Sequence, residues 1–209
     1  MRQGGRRAMP DRILETEQRR LWNGPVAGVD EAGRGPIAGP VVAAAVILPD
    51  DFLLDGVNDS KAVARDRREA LALAIREMAV VGVGHATVEE IDTINILHAA
   101  MLAMRRAVEA LPLRPAGALI DGNRLPDGLP CPGVAVVGGD GSQTAIAAAS
   151  IVAKTERDRI MRDLGRLYPG YGLESHAGYA TEQHRQAVQQ LGPCPAHRRS
   201  FRPVRDMFT

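Results

Sequence analysis

Three short apolar runs in this chain end on acidic residues, and this recurrence constrains the fold more than any other feature. The runs GVDE, LIDG and VVGGD place Asp30 and Glu31, Asp121 and Asp140 where the predicted strands end. A single acidic strand end is typical of an ordinary solvated turn, and adjacent residues on a strand point to opposite faces. Three such ends on neighbouring strands would converge on one patch, and this patch would repel itself unless something positive occupied it. The sequence therefore predicts a sheet with a cation site at one edge.

Helical patterns separate the apolar runs. Residues 26–29 and 41–48, VVGVGHATV, GALID and GVAVVGGD are predicted to form strands, and TAIAAASIVAKTERDRIMRDLGRL to form one long helix. Two other helices are predicted after capping-box patterns, each with an apolar stripe. Their caps and stripes are Asp66 and Glu69 before Leu71, Ile75 and Met78, and Thr87 and Glu90 before Leu97, Met101, Met104 and Val108. The order of elements predicts an α/β fold, in which helices layer against a sheet.

Length and composition set the wider limits. With 209 residues, the chain is expected to form one catalytic domain over residues 23–209, preceded by a flexible N-terminal tail over residues 1–22. A net charge of +1 selects neither nucleic acid nor membrane, so any basic surface must be local. The arginine-rich N-terminus lacks the apolar core of a signal peptide, and no apolar run is long enough to span a membrane. Two cysteines fit free thiols in a reducing compartment, so we expect a cytoplasmic protein without membrane contact.

The glycines that follow Asp30 and Glu31 first suggest a dinucleotide-binding loop. The GRGPIAG segment, however, has G-x-G-x-x-x-G spacing, Pro36 lacks an amide donor, and the next predicted element is a strand. Two carboxylates before the loop would also repel a pyrophosphate. Acidic ligands without histidine or cysteine are instead typical of Mg²⁺ or Mn²⁺, and two such ions can support a phosphodiester displacement. The glycines would then let the backbone approach a polymer beside the metal site.

Seven motifs, taken together in order, closely resemble those of bacterial ribonuclease HII. They are GVDEAGRGPIAGPVV, VNDSK, INILHAAMLAM, LIDGNRLP, AAASIVAKTERDR, HAGYAT and HRRSF, and they extend from about Val26 to Phe201. The resemblance implies a ribonuclease H-like fold, with a mixed central sheet flanked by helices and a helical C-terminal extension. It implies a monomer that cleaves the RNA strand of RNA/DNA hybrids and single ribonucleotides in duplex DNA, leaving 3′-hydroxyl and 5′-phosphate ends.

The same resemblance assigns site residues. Asp30, Glu31, Asp121 and Asp140 match the catalytic, metal-binding carboxylates. Substrate-binding roles fall on Gly33, Arg34 and Gly35, whose backbone would read the ribose 2′-hydroxyl, on Lys61 as a backbone contact, and on Tyr179 as a ring stacked on the sugar. Two positions depart from the family pattern, because Gly138 and Ala177 stand where lysines are common. These changes remove positive charge near the substrate path and leave the catalytic set intact.

Several features allow a simpler interpretation. Tyr168 and Tyr171 are expected to pack a glycine-rich loop, and Lys154 with Asp158 to form a surface pair on the long helix. The arginines of HRRSFRPVR fit either a solvated tail or a strip of phosphate contacts. The five histidines show no metal-ligand spacing. Two alternatives to a ribonuclease stay open: a nucleic-acid-binding protein that kept the fold and lost activity, and an oxidoreductase built on the glycine loop.

Overall fold

The protein is described by a computed structural model, which covers residues 10–53 and 64–207. Within these residues, five strands and six α-helices follow one another in a mixed order. They are α1 (Ile13–Leu21), β1 (Val26–Ala32), β2 (Val41–Ile47), α2 (Arg65–Met78), β3 (Val80–Ala86), α3 (Val88–Glu109), β4 (Gly117–Asp121), β5 (Gly133–Val136), α4 (Thr144–Leu167), α5 (Leu173–His176) and α6 (Glu182–Leu191). The predicted α/β fold is therefore confirmed, and Lys61 lies outside the described residues.

The strands form one mixed sheet in the order β3-β2-β1-β4-β5. β1, β2 and β3 pair antiparallel, whereas β4 pairs parallel with β1, and β5 parallel with β4. The central position of β1 means that both of its edges are hydrogen-bonded. The carboxyl ends of β1 and β4 consequently lie side by side at one edge of the sheet.

Helices cover both faces of the sheet, and small side chains let them approach closely. On β2, Ala43 and Ala45 face a core that includes α3, and Ala44 and Val46 face the core under α4. This alternation follows from the two-residue period of a strand and leaves β2 buried along its whole length. A Cβ at Gly28 would overlap the backbone of α4, so glycine is required for this helix to lie as close to β1 as it does.

The two predicted capping boxes had different outcomes. The box of Thr87 and Glu90 is present at the start of α3, with both reciprocal hydrogen bonds formed. The box of Asp66 and Glu69 is wrong, because α2 begins at Arg65 after Ala64, which makes no side-chain cap. Asp66 therefore lies inside the first turn. Glu69 is instead held by Arg162 of α4 at 2.6 Å.

The predicted stripes are buried only in part. Leu71 and Ile75 of α2 are buried, whereas Met78 ends the helix and is exposed. In α3, Met104 and Val108 are buried, and Leu97 and Met101 are half-buried. α3 is kinked at Asn95, which has φ 64° and caps the second half of the helix with its side-chain oxygen.

The N-terminal segment departs from the expected flexible tail where the structure describes it. Residues 13–21 form α1, and Glu15 on this helix is buried in an ion pair with Arg12 at 2.7 Å. The amide of Thr144 donates to the carbonyl of Asp11, which ties this segment to the start of α4. Within the described part of the chain, no helix is both long and apolar enough to cross a bilayer.

Candidate active site at the carboxyl ends of β1 and β4

Strand register brings Asp30 and Asp121 together. β1 and β4 run parallel, and their last residue pair is Val29 with Ile120. Asp30 and Asp121 are the next residue of each strand, so they are neighbours across the pair and project to the same side. This placement follows directly from two apolar runs that each end on an aspartate.

Glu31 and Asp140 reach the site by other routes. Glu31 follows Asp30 on β1, and its carboxylate is held by Arg34 at 3.3 Å. The prediction that Asp140 ends a strand is wrong, because β5 stops at Val136 and Asp140 lies in a 3₁₀ turn over Gly139–Gly141. The turn is fixed to the site by the Gly139 amide, which donates to Asp121 Oδ1 at 2.7 Å. Asp140 therefore joins the cluster through a turn anchored on Asp121.

These four carboxyl groups line one pocket of about 390 Å³. The pocket also receives residues from the loop after β1, from α2, from α4 and from the segment before α6. Its lining consists of Asp30, Glu31, Ala32, Gly33, Arg68, Asp121, Asp140, Ser150, Lys154 and Tyr179. The structure thus gathers all four predicted carboxylates with Gly33 and Tyr179, which are far apart in the sequence.

The electrostatics of the pocket favour a bound cation. Burial, together with the charges of Glu31 and Asp121, raises the pKa of Asp30 well above its usual range. Burial also raises the pKa of Glu31, against the opposing charge of Arg34. Oε2 of Glu31 is buried and has no hydrogen-bond partner among the described residues. A divalent cation would offset the repulsion and give this oxygen a partner.

The donor set therefore fits Mg²⁺ or Mn²⁺, which prefer carboxylate oxygens. Across residues 10–53 and 64–207, no three acidic, histidine or cysteine side chains already stand close enough together to hold a metal ion. Oδ1 of Asp121 accepts from the Gly139 amide of the 3₁₀ turn. Small side-chain rotations towards a cation would be needed to bring the oxygens together.

The loop after β1 is organised by a fully buried arginine that the sequence analysis did not identify. Arg198, with 0% of its surface exposed, donates to five backbone carbonyls of this loop. The acceptors are Gly33 at 2.6 Å, Arg34 at 3.0 Å, Pro36 at 2.7 Å, Gly39 at 2.9 Å and Pro40 at 3.4 Å. Arg198 therefore belongs neither to a solvated tail nor to a strip of phosphate contacts, and both interpretations are wrong for this residue.

A second buried arginine completes the support of the loop. Arg157 of α4 donates to the carbonyls of Ala38, Pro40 and Ala177. Gly33 has φ 98°, and a Cβ there would overlap the Arg157 guanidinium, so glycine is required at this position. With their carbonyls directed at buried arginines, the loop residues keep a fixed backbone beside the pocket.

Tyr179 lies where its ring can contact a substrate. The side chain is 49% exposed and lines the pocket, and a Cβ at Gly35 would come within 3.6 Å of its ring. Arg34 does not line the pocket, but its exposed side chain contacts Glu31, which does. The other two tyrosines behave as predicted: Tyr171 is buried with its hydroxyl donating to the Gly192 carbonyl at 2.7 Å, and Tyr168 packs in the same cluster.

The two departures from the family pattern share one backbone feature. Gly138 has φ 66° and Ala177 has φ 50°, so both occupy the left-handed region. Gly138 precedes the 3₁₀ turn of Asp140, and the Ala177 carbonyl accepts from Arg157 at 2.9 Å. Glycine suits such a conformation, whereas a residue with a Cβ adopts it at a cost. The glycine at position 138 therefore eases the turn that carries Asp140.

A chain of histidines supports the segment that carries Tyr179. His184 Nδ1 lies 2.9 Å from the Tyr179 carbonyl, which can only accept, so this nitrogen carries the proton. His184 Nε2 then accepts from His197 Nε2 at 3.0 Å, and His197 Nδ1 accepts from the Cys194 amide at 3.0 Å. Both rings are buried and neutral in this arrangement. Burial lowers the pKa of His184 to about 4 and also lowers that of His197.

The buried, neutral pair of His184 and His197 predicts a loss of protein stability in mild acid. Between pH 6.5 and about 4, the unfolded protein takes up a proton on His184 that the folded protein excludes, so the free energy of unfolding falls as the pH drops. The loss from this group should reach roughly 3 kcal/mol at the acid end. We expect His184→Gln to have a flatter pH dependence than wild type in urea unfolding at several pH values. Exposed His98→Gln is the control, and equal slopes for His184→Gln and wild type would contradict the prediction.

The pair of Lys154 and Asp158 is present but is not a surface pair. Lys154 Nζ lies 2.6 Å from Asp158 Oδ1, as the i,i+4 spacing predicts. Asp158 is only 7% exposed, however, and Lys154 lines the pocket. Arg68 of α2 also contacts Asp158, at 3.3 Å. Burial of this carboxylate between two helices could not be read from the spacing alone.

A mixed five-stranded sheet with acidic residues at the carboxyl ends of adjacent strands defines a nuclease of the ribonuclease H class. The comparisons with known proteins agree. The family model described as ribonuclease HII matches residues 27–204. The chain is 56% identical to ribonuclease HII of Maricaulis maris over 180 residues, covering 86% of this chain and 83% of the relative. It is 55% identical to ribonuclease HII of Paramagnetospirillum magneticum over 200 residues, covering 94% and 97%.

The structural comparison gives the same result. The crystal structure of ribonuclease H2 from Pyrococcus horikoshii matches with a TM-score of 0.73 at 28% identity, covering 88% of this chain and 96% of that one. The chain belongs to the ribonuclease HII family. Ribonucleases HII are endonucleases that act on RNA/DNA hybrids and depend on divalent metal. The dinucleotide-binding alternative is excluded, because the glycine loop leads into β2 and not into a helix.

Proposed function

We propose that this protein is an Mg²⁺- or Mn²⁺-dependent endoribonuclease that also cleaves at single ribonucleotides embedded in duplex DNA, leaving 3′-hydroxyl and 5′-phosphate ends. The observation that carries the proposal is one pocket shared by four carboxyl groups, Gly33 and Tyr179. In this proposal, chemistry at a phosphate and recognition of a sugar take place side by side. The protein is expected to act as a monomer in the cytoplasm.

The proposed metal ligands are the four carboxylates, Asp30, Glu31, Asp121 and Asp140. Divalent cations held there would activate water and stabilise charge on the phosphate. The carboxylates themselves supply the negative charge that holds the cations, and Gly139 orients Asp121 through its amide. Lys154 and Arg68 place positive charge on the wall of the same pocket, where an anionic backbone would pass.

Recognition of the ribose is assigned to the loop at Gly33, Arg34 and Gly35. Arg198 donates hydrogen bonds to the carbonyls of Gly33 and Arg34. These bonds hold the loop backbone in place, so that it can contact a ribose 2′-hydroxyl. The Tyr179 ring beside Gly35 would then press on the next sugar. A 2′-hydroxyl on that sugar would crowd the ring, so the pair favours ribose followed by deoxyribose. Lys61 is proposed as a further backbone contact.

The direct test is incubation with a DNA duplex that contains one ribonucleotide, with Mg²⁺, with Mn²⁺ and with a chelator. We expect cleavage on the 5′ side of the phosphate that gives a 3′-hydroxyl and a 5′-phosphate, and only when metal is present. Cleavage at full rate in chelator would contradict the metal mechanism. Metal-dependent binding without any cleavage would favour the alternative of a binding protein that has lost activity.

Tyr179→Ala should reduce cleavage of the single-ribonucleotide duplex more than cleavage of a uniform RNA/DNA hybrid. Aromatic contacts to nucleic acid are worth about 1–3 kcal/mol, so the ratio of the two rates should fall roughly ten- to a hundred-fold. Tyr179→Phe is the matched control, because it keeps the ring and should retain much of the ratio. An unchanged ratio in Tyr179→Ala would show that the ring only packs the loop.

A further inference from the structure

One face of α4 presents three polar residues to the catalytic pocket and to its support. Ser150, Lys154 and Asp158 follow one another at intervals of four residues, so they lie along the same side of the helix. Ser150 lines the pocket together with Asp30, and Lys154 lines it one turn further on. Asp158, after another turn, is buried and does not line the pocket. A buried carboxylate thus follows Lys154 on the same side of the helix.

Both oxygens of Asp158 are engaged by cations that do line the pocket. Lys154 Nζ lies 2.6 Å from Oδ1, and Arg68 Nη2 lies 3.3 Å from Oδ2. Asp158 therefore fixes a lysine from its own helix and an arginine from α2 side by side. In this position the two cations line the pocket. Among the described residues, neither of them forms an ion pair with Asp30 or Glu31.

Without this tether, Lys154 would have acidic partners within reach. One helical turn between Ser150 and Lys154 is a rise of about 6 Å, which a four-carbon side chain can span to reach the Asp30 region. Unit charges 4 Å apart attract by about 4 kcal/mol near a protein surface. An ammonium group paired with Asp30 or Glu31 would therefore compete with a divalent cation for the same oxygens.

We propose that Asp158 is a positioning residue that holds the ammonium group of Lys154 away from Asp30 and Glu31. It keeps these two carboxylates open to a divalent cation and leaves the positive charges of Lys154 and Arg68 on the pocket wall for the nucleic-acid backbone. The proposal rests on the metal-dependent function proposed above. A purely structural ion pair between α2 and α4 would affect stability but not the affinity for the cation.

The test measures Mn²⁺ binding by calorimetric titration without nucleic acid, in wild type, Asp158→Asn, Lys154→Gln and the double variant. We expect Asp158→Asn to weaken Mn²⁺ binding on the order of ten-fold, which corresponds to about 1.4 kcal/mol. Removing the freed ammonium should reverse this, so the double variant should match Lys154→Gln to within about two-fold. Asp163→Asn is the matched control, since Asp163 makes an i,i+4 pair with Arg159 on the exposed face of α4.

Two results would overturn the proposal: wild-type Mn²⁺ affinity in Asp158→Asn, or a loss of affinity that persists in the double variant. If Asp158→Asn does not fold, the comparison of the double variant with Lys154→Gln decides alone, and unequal affinities refute the proposal. Wild-type protein is assayed in parallel for Mn²⁺ binding and for cleavage of the single-ribonucleotide duplex. Failure of wild type in either assay counts against the proposed function, whereas differences among the variants test the role of Asp158.

Discussion

Asp121→Asn should lower the rate of cleavage on the order of a thousand-fold, or about 4 kcal/mol in the activation free energy. Asp121 lies between the two other strand-end carboxylates and the turn of Asp140, so its charge is central to the proposed metal site. The amide keeps the shape of the side chain and can still accept from the Gly139 amide. The fold should therefore persist, and the metal-free protein should be as stable as wild type or more stable, because repulsion with Asp30 and Glu31 falls.

Rate and stability together separate this loss from misfolding. Single-turnover cleavage gives the rate, and thermal unfolding with increasing Mg²⁺ or Mn²⁺ gives the stabilisation by bound metal. Wild type should gain melting temperature with metal until the site saturates, and Asp121→Asn should gain much less. Asp127→Asn, an exposed aspartate in the loop after β4, is the control and should behave as wild type. Turnover at the wild-type rate in Asp121→Asn would refute the assignment of this carboxylate.

The strand-end carboxylates could be predicted from sequence because their positions depend on local patterns. Short apolar runs that end at Asp30 and Asp121 are visible in a window of a few residues, and parallel pairing then brings them together. Asp140 is predicted to join the cluster both from the family resemblance and from a strand-end pattern, and the strand-end pattern is wrong. Its place depends on the left-handed backbone at Gly138 and on the hydrogen bond from Gly139 to Asp121, and an apolar pattern contains neither.

The buried charges could not be predicted, because long-range packing decides whether a charged side chain meets solvent. Arg198 stands in a run of basic residues that resembles a solvated tail, yet its acceptors lie about 160 positions earlier in the chain. Asp158 has the spacing of a surface ion pair, and only the approach of Arg68 from α2 buries it. In both cases the sequence pattern correctly indicates a charged side chain but wrongly predicts that this side chain is exposed to solvent.

Arg198→Met should destabilise the protein by roughly 3–5 kcal/mol, because each buried acceptor that loses its donor costs about 1–3 kcal/mol and water can reach only some of them. Methionine preserves much of the volume of the arginine stem, so the loss reports the hydrogen bonds to the loop carbonyls and not a large cavity. Burial lowers the pKa of Arg198 to about 9, which still leaves the guanidinium charged and fully able to donate at neutral pH. Urea unfolding at pH 7.5 measures the change.

Two further variants show whether the effect comes from losing the hydrogen bonds to the loop or only from losing the positive charge. Arg205→Met removes an exposed arginine that pairs with Asp206 on the surface, and its effect should stay within about 1 kcal/mol. Arg198→Lys keeps the positive charge but has three donors in place of a planar fork, so it cannot serve all five carbonyls. It should fold with intermediate stability and lose kcat/KM on the single-ribonucleotide duplex, because the backbone at Gly33 to Gly35 is no longer fixed. If Arg198→Met is no less stable than Arg205→Met, the buried guanidinium does not hold the loop. If Arg198→Lys cleaves the duplex at the wild-type rate, a positive charge at this position is enough for recognition of the ribose.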